Sequence, residues 1–356
     1  MTNAPPRFFI RRRPEDFVVV EEPLYPPSGE GGHLFVEVEK CARTTEQVAR
    51  LLARGCGVSP MDVGYAGRKD RHAVTRQWFS LPGVDPERAL ALELEGARVL
   101  SAVRHGHKLR TGHLHGNRFE LAVYSDAPFD LPALSARAAE LVRRGMPNRY
   151  GEQRFGRSGD NAEAARKLFA GRIRSRDLRS ARFLVSALQA EVFNAVLVER
   201  RERHDEVLIG DLARVEVSGG LFWVDDLERD SARVRDFEIS ATGPIFGTKV
   251  RAPRGEVAKL EAEVLERHGI PGEGELRLPR GIRAQGTRRP LRVRPRDLEL
   301  TSLEGADGFR LRCGLPPGAY VTVLVECLIG VVVDSARASV SHDEDLEASV
   351  SSADAS

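Results

Sequence analysis

The chain has 356 residues, 41% of them hydrophobic, and a formal net charge of +2. That length suits two domains and that apolar content excludes a disordered chain. No apolar run reaches the roughly 18–20 residues of a membrane span. The start, "MTNAPPRFFIRRRPEDF", is charged within a few residues and lacks a secretory apolar stretch. The four cysteines, Cys41, Cys56, Cys313 and Cys327, have no CxxC spacing. The expectation is a cytoplasmic protein with reduced thiols.

In chain order, "FVVVEEP" and "HLFVEVEK" read as strands, Val36 and Val38 alternating with Glu37 and Glu39. "TTEQVARLLARGCG" reads as a helix with a Thr44/Gln47 capping box, an apolar stripe of Val48, Leu51 and Leu52, and Gly55 as terminator. "GYAGRKDRHAVTRQWFS" follows, with Gly67 allowing a sharp turn before Asp70 and a strand after it. "ARVLSAVRH" and "NRFELAVYS" are strands joined by the basic connection "GHKLRTGHLHG", and Phe119, Leu121 and Val123 share one face by period two. "LPALSARAAELVRRG" is a helix ending at Gly145. "MPNRYGEQRFGRSGDN" is a loop and a domain junction. Asp160 with Glu163 caps a short helix to Gly171, and a long apolar helix runs near Leu178 to Arg201. Asp211 to Val224 is β-rich, "GPIFGTKV" is a loop, and "GEVAKLEAEVLERHG" is a helix. From Leu298 to Gly330 the residues alternate. The fold class is α+β, with a middle domain inserted between two parts of another.

The 54 basic residues are nearly all arginine, the better residue for bidentate phosphate contacts and for stacking on bases. GC-rich coding gives the same ratio, so position is the more telling signal. Arg280, Arg283, Arg288, Arg289, Arg292, Arg294 and Arg296 crowd one short segment, which fits a phosphate track, or an exposed basic face without a role. Acid collects in the tail, which reads as disordered.

Asp70 is flanked by Arg68, Lys69, Arg71 and His72. It is either a surface acid satisfied by those neighbours or an ionised nucleophile or base in a site that attracts a polyanion. His105, His107, His113 and His115 form two H-x-H pairs with Lys108 and Arg110 between them. No acid or cysteine lies among them, so a basic loop touching RNA phosphates is favoured over a metal pair. If His113 and His115 contact phosphate, affinity for RNA rises as pH falls toward about 6. Phe119 is a core residue or a platform for an extruded base. Asn117 donates to a base edge or caps a turn.

These residues resemble the TruD family of tRNA pseudouridine synthases. "GYAGRKDRHAVTRQW" resembles the family's A-G-x-K-D-x-x-A-x-T-x-Q-W motif, and "HGNRFELAV" its G-N-x-F strand. "GMPNRYGEQRFGRSGDN", "ARFLVSALQAEVFN", "LPPGAYVTVLVECLI" and "PEDFVVVEEP" are similar to four further family segments, in order from about Phe17 to Ile329. Arg182, beside a shifted Ser180, and Cys327 depart from the pattern. The resemblance implies a pseudouridine synthase catalytic domain with a mixed, mostly antiparallel sheet. That domain spans 1–144 and 298–338 and is interrupted by an inserted α+β TRUD domain at 145–297, with an acidic tail at 339–356.

It implies tRNA as the partner, no cofactor or metal, no membrane and no obligate protein partner. The reaction it implies turns a uridine, position 13 in bacterial members, into pseudouridine. Carried over residue by residue, Asp70 is catalytic, and Phe17, Lys69, Asn117, Phe119 and Tyr320 line the substrate pocket. Arg68, Arg71, Lys108, Arg110, Arg288, Arg289 and Arg292 are expected to contact RNA. Whether Asp70 adds to C6, bonds to C1′ or takes the C2′ proton stays open. The alternatives are a non-catalytic RNA-binding protein or tRNA folding chaperone, and a metal-dependent hydrolase built on the four histidines.

Overall fold

A computed structural model describes residues 5–156, 159–175, 177–200, 203–271, 278, 281–282, 284 and 286–336. The expectations for 339–356, Arg280 and Arg283 lie outside these residues. Residues 5–139, 295–318 and 325–336 form one compact unit, and 140–294 with 319–324 form a second. The stretch 319–324, inside the segment read as the second part of the catalytic domain, packs with the second unit.

In the first unit, β-branched and aromatic residues in alternation build the strands. They are β1 (Phe8–Ile10), β2 (Phe17–Pro23), β3 (His33–Cys41), β4 (Gly64–Tyr65), β5 (Val74–Pro82), β6 (Ala97–His105) and β7 (Leu114–Ser125). Helices α1 (Thr45–Cys56), α2 (Pro86–Leu90) and α3 (Leu131–Arg144) interrupt them. Then come β8 (Met146–Pro147), α4 (Asn161–Phe169), α5 (Leu178–Glu199), β9 (Leu212–Val215), β10 (Leu221–Trp223), α6 (Leu227–Arg235), β11 (Ile239–Ile245), α7 (Gly255–Arg267), β12 (Thr287–Pro290) and β13 (Arg292–Val293). Among the described residues the last elements are β14 (Arg296–Ser302), β15 (Gly308–Leu315), α8 (Val321–Ile329) and β16 (Val332–Asp334).

The first unit's sheet is mixed and mostly antiparallel, in the order β14-β15-β7-β2-β5-β3-β6, with β1, β16 and β4 attached. Its parallel pairs are β2 with β5 and β1 with β16. Leu34, Val36 and Val38 of β3 bury against Val48 and Leu52 of α1. Thr44 and Gln47 close the expected capping box at the start of α1. The helix passes through Gly55 and ends instead at Gly57, whose φ of 71° is left-handed and whose N–H reaches the carbonyl of Ala53.

The second unit carries a four-stranded sheet, β10-β9-β11-β12, and the pair β13-β8. Helix α5 is long and apolar enough to match a membrane span by length and composition. Its Leu188, Val192 and Val196 are buried with Phe246 and Val264, as a core helix would have them.

Three element readings differ from the structure. Asp160 sits at the N-cap of α4 but its side chain caps nothing, because its backbone is helical rather than extended. "GPI" of the expected loop belongs to β11, with Gly243 paired to Arg289 and Pro244 to Arg288. A Cβ at Gly243 would come within 3.0 Å of the Phe193 ring, so glycine here serves packing rather than a turn. "VTVLVECLI" alternates like a strand yet is helix α8, since Val321, Leu324, Val325 and Leu328 repeat at helical spacing and all are buried.

Candidate active site

Asp70 lies in the connection between β4 and β5, and that connection is fastened along its backbone. Gly112 N–H donates to the Ala66 carbonyl at 2.8 Å. The Gln77 amide donates to the Gly67 carbonyl at 3.3 Å. Lys69 N–H donates to Thr45 Oγ1 at 2.9 Å, and that hydroxyl donates to Gln77 Oε1 at 2.8 Å. The Lys40 ammonium donates to the Asp70 carbonyl at 2.7 Å. Gly67 has no left-handed φ, and a Cβ there would meet Lys69 Nζ at an ordinary 3.8 Å. The sharp glycine turn expected from sequence is therefore not what shapes this loop. Side-chain clamps do that, and they leave the Asp70 side chain 34% exposed.

Opposite the carboxylate stands Arg11, its Nη1 3.8 Å from Asp70 Oδ1. Arg11 is buried, has a left-handed φ of 56°, lies 4.8 Å over the Phe17 ring, and is held by Asp334 of β16 at 2.5 Å. Lys69 is buried in an ion pair with Glu21 of β2. Glu21 also accepts the Trp78 N–H at 3.2 Å. Three cations, Arg11, Lys40 and Lys69, thus sit among three acids, Glu21, Asp70 and Asp334. Each buried charge has a partner, as the cost of desolvation requires. Burial pushes the Lys40 ammonium down to about 8, while Asp70 pulls the other way.

The expected pocket residues divide. On β7, Phe119 pairs with Val19 and Asn117 with Glu21, so both project from the face that carries Glu21. Leu121 and Val123 on this face are fully buried, and Phe119 is only half-buried. That partial exposure separates it from the core residues of the same stripe. Its ring meets Phe17 edge-on at 6.4 Å. Asn117 Oδ1 is buried with no hydrogen-bond partner among the described residues, a state costing about 1–3 kcal/mol until something donates to it. Phe17 is 1% exposed and has no surface to offer a base; it supports Phe119 and Arg11 instead. Lys69 likewise acts through Glu21. Tyr320 belongs to the second unit, where its ring packs on Tyr150 at 6.0 Å.

Among the expected RNA contacts, Arg68, Arg71 and Arg110 are exposed, Arg68 with Glu46 as partner at 2.6 Å. Lys108 is half-buried and donates to the Met61 carbonyl at 2.8 Å. The phosphate track fails at three of its members. Arg288 is buried, with two donors on Glu261 at 2.7 and 2.6 Å and others on Thr242. Arg289 is half-buried over Tyr150 at 4.2 Å and donates to Asn148. Arg292 is 2% exposed and donates to the carbonyls of Arg144, Val234 and Ile239 and to the Ser240 hydroxyl. It closes the C-terminal turns of α3 and α6. All three guanidiniums satisfy backbone or side-chain groups inside the second unit, and the buried Arg288 and Arg292 leave no surface for an RNA.

The histidines group around Tyr25. Its ring stacks on His105 at 5.2 Å, and its hydroxyl lies 2.9 Å from His113 Nδ1. Ser28 N–H donates to His105 Nδ1, which puts the His105 proton on Nε2, facing His107 Nε2 at 3.2 Å. His115 is exposed. Among the described residues no group of three or more His, Cys, Asp or Glu could hold a metal ion.

Arg11, Glu21, Lys40, Thr45, Gln77 and Asp334 were not singled out from sequence. The register offered a signal for two of them. Lys40 follows Val36 and Val38 on the inward face of β3, and Glu21 follows Phe17 and Val19 on that of β2. A charge in a buried register needs a partner.

Two stability measurements test this geometry. Lys40 has a folded value below its free value of 10.5, so the cost of burying its charge is present below about pH 8 and is relieved as pH rises toward 10.5. In urea unfolding, wild type therefore gains on Lys40→Met between pH 7 and pH 10; a difference independent of pH would contradict the burial of a charged Lys40. Arg292→Met leaves several buried carbonyls without donors and costs about 3 kcal/mol. A variant as stable as wild type would return Arg292 to the surface.

The model of the family tRNA pseudouridine synthase D (TruD) matches residues 7–175 and 167–327. A tRNA pseudouridine synthase D of Anaeromyxobacter sp. (strain Fw109-5) is 44% identical over 328 residues, covering 90% of this chain and 92% of that one. A tRNA pseudouridine synthase D of Thermus thermophilus is 41% identical over 320 residues, with 89% and 87% covered. A solved structure from Methanosarcina mazei, described as a tRNA pseudouridine synthase D, superposes with a TM-score of 0.69 at 22% identity. It covers 92% of this chain and 94% of its own and speaks for the fold. With the family model spanning both units and relatives above 40% identity along nine-tenths of the chain, this protein belongs to the TruD family, tRNA pseudouridine synthase D.

Proposed function

We propose that the protein is a tRNA pseudouridine synthase that isomerises a uridine of tRNA, at the position 13 implied by the family resemblance, with Asp70 as its catalytic carboxylate. The observation that carries this reading is the Asp70 loop: its backbone is clamped by Thr45, Gln77, Lys40 and Gly112, while its carboxylate reaches the surface opposite a buried arginine. Such a placement fixes a reacting group before substrate arrives.

The reaction breaks the C1′–N1 bond, turns the uracil, joins C5 to C1′, and moves the C5 proton to solvent while N1 gains one. Atoms and electrons balance without a redox partner. A base inside a folded tRNA must first be extruded, at a cost of roughly a few kcal/mol. Half-exposed Phe119 offers a ring face to replace lost stacking, and the unpaired Asn117 oxygen can accept a base N–H. Exposed Arg68, Arg71 and Arg110, on the same loop or the connection bonded to it, draw phosphate toward Asp70. Arg11, 3.8 Å from Asp70, places a fixed positive charge beside the carboxylate where that polyanion would lie. The same reading has the protein act in the cytoplasm, which its four free cysteines suit.

The test is pseudouridine formation in an unmodified tRNA transcript, mapped by position, with wild type and Asp70→Asn. Asparagine preserves size and removes the charged oxygen. Wild type is expected to modify one uridine and Asp70→Asn to bind the transcript with wild-type affinity yet modify none. Binding without modification by wild type would favour an RNA-binding protein or folding chaperone instead.

A further inference from the structure

Within the second unit several arginines are already matched by acids. Arg144 pairs with Asp205, Arg200 with Asp211, and Arg229 and Arg233 with Asp230. The segment 248–254, "TKVRAPR", is different. It carries three cations and no acid. Lys249, Arg251 and Arg254 are exposed, and no carboxylate lies within ion-pair distance of any of them among the described residues. Three acids that neighbour Trp223 or Arg254 in sequence are engaged elsewhere: Asp225 with Arg229 at 3.0 Å, Asp226 as the cap of α6, and Glu256 with Lys259 at 2.7 Å.

These cations are also held in place. The guanidinium carbons of Arg251 and Arg254 each lie 3.8 Å from the centre of the Trp223 ring. Two guanidiniums that close to one centre would collide on one face, so they flank the indole on opposite faces. The Trp223 N–H donates to the Ala252 carbonyl at 3.1 Å, and Arg251 donates to the Leu221 carbonyl at 2.7 Å. Arg254 N–H donates to the Gly210 carbonyl at 2.8 Å. Gly210 permits that approach, since a Cβ there would sit 2.3 Å from the Arg254 carbonyl oxygen. Pro253 is buried between the two arginines in sequence. Flexible surface arginines lose rotamer entropy on binding; these two have lost much of it already, through cation–π contacts that leave their outer N–H donors unused.

We propose that Trp223, Lys249, Arg251 and Arg254 of the second unit form a docking surface for the RNA sugar–phosphate backbone. The occupant follows from the chemistry. Unpaired, pre-ordered guanidiniums at an exposed sheet edge suit the bidentate contacts of a phosphate chain. The proposal rests on the reading that the substrate is tRNA, and its test is a binding measurement that does not depend on chemistry at Asp70.

The dissociation constant of an unmodified tRNA transcript is measured against potassium chloride between about 0.05 and about 0.3 M, where each lost phosphate contact removes nearly one unit from the log–log slope. Arg251→Gln/Arg254→Gln is expected to lower the slope by about 2 and weaken binding roughly tenfold or more. Arg251→Lys/Arg254→Lys, which keeps the charges, is expected to keep the slope. A glutamine variant with wild-type slope and affinity would overturn the proposal, as would a lysine variant that loses as much slope as the glutamine one. Pseudouridine formation by wild type is read separately. Its absence would overturn the isomerase reading, and the salt slope would still decide the docking surface.

Discussion

The ion pair between Arg11 and Asp334 carries more of this molecule than its single contact suggests. Arg11 leaves β1 with a left-handed backbone, buries its guanidinium over Phe17, and brings Nη1 to 3.8 Å from Asp70. Without Asp334 that guanidinium would be a buried charge balanced by one carboxylate 3.8 Å away, and the desolvation cost would exceed the attraction. With it, Arg11 is fixed. Phe17 and Phe119 then have a defined surface to pack on, and the acid at position 70 meets a cation whose position does not depend on substrate. The neighbouring pair of Lys69 with Glu21 and the bond from Lys40 to the Asp70 carbonyl obey the same rule. The Asp70 carboxylate is thus held among three internal cations, one bonded to Asp334 of β16, one to Glu21 of β2 and one to the carbonyl of Asp70 itself.

Much of this was legible in the sequence where local pattern and local structure agree. The strands from Phe17 to Pro23 and His33 to Cys41, the capping box of α1 and the helix after Leu178 all follow from periodicity and capping chemistry. Asp70, Asn117 and Phe119 were reached by motif and by spacing. What escaped was whatever depends on partners far along the chain. Arg11 is one of three consecutive arginines, and nothing local distinguishes the buried one from Arg12 and Arg13. Asp334, more than three hundred residues away, makes that choice. The arginines from 288 to 292 misled for the matching reason. Clustered positive charge in sequence resembles a surface track, yet Arg288 and Arg292 alternate inward on adjoining strands to meet Glu261 and bare helix carbonyls. Helix α8 was hidden because valine at every second position imitates a strand while leucine and valine at helical spacing form the helix.

The contrast between the buried arginines and those around Trp223 shows how a guanidinium's role depends on what is left for it to bind. Arg292 directs its donors to backbone oxygens and so works as a structural staple. Arg251 and Arg254 are braced by an indole that accepts no hydrogen bond from them, which fixes their planes and leaves most of their N–H groups outward. The residue type is the same and the charge is the same. Burial and the nature of the neighbour decide between scaffold and recognition.

The parallel pairing of β1 with β16 sets Phe8 beside Val332 and Ile10 beside Asp334. During synthesis on the ribosome, the N-terminal strand, the Asp70 loop and the α1 helix all emerge long before Asp334 is translated. Until the last strand leaves the exit tunnel, Arg11 lacks its counter-ion and the pocket lacks its floor. A nascent chain, or one truncated by a premature stop shortly before residue 332, can hold most of the sheet and still have no assembled centre. The order of synthesis thus leaves the Arg11–Asp334 pair to form after the strands around Asp70 have been made.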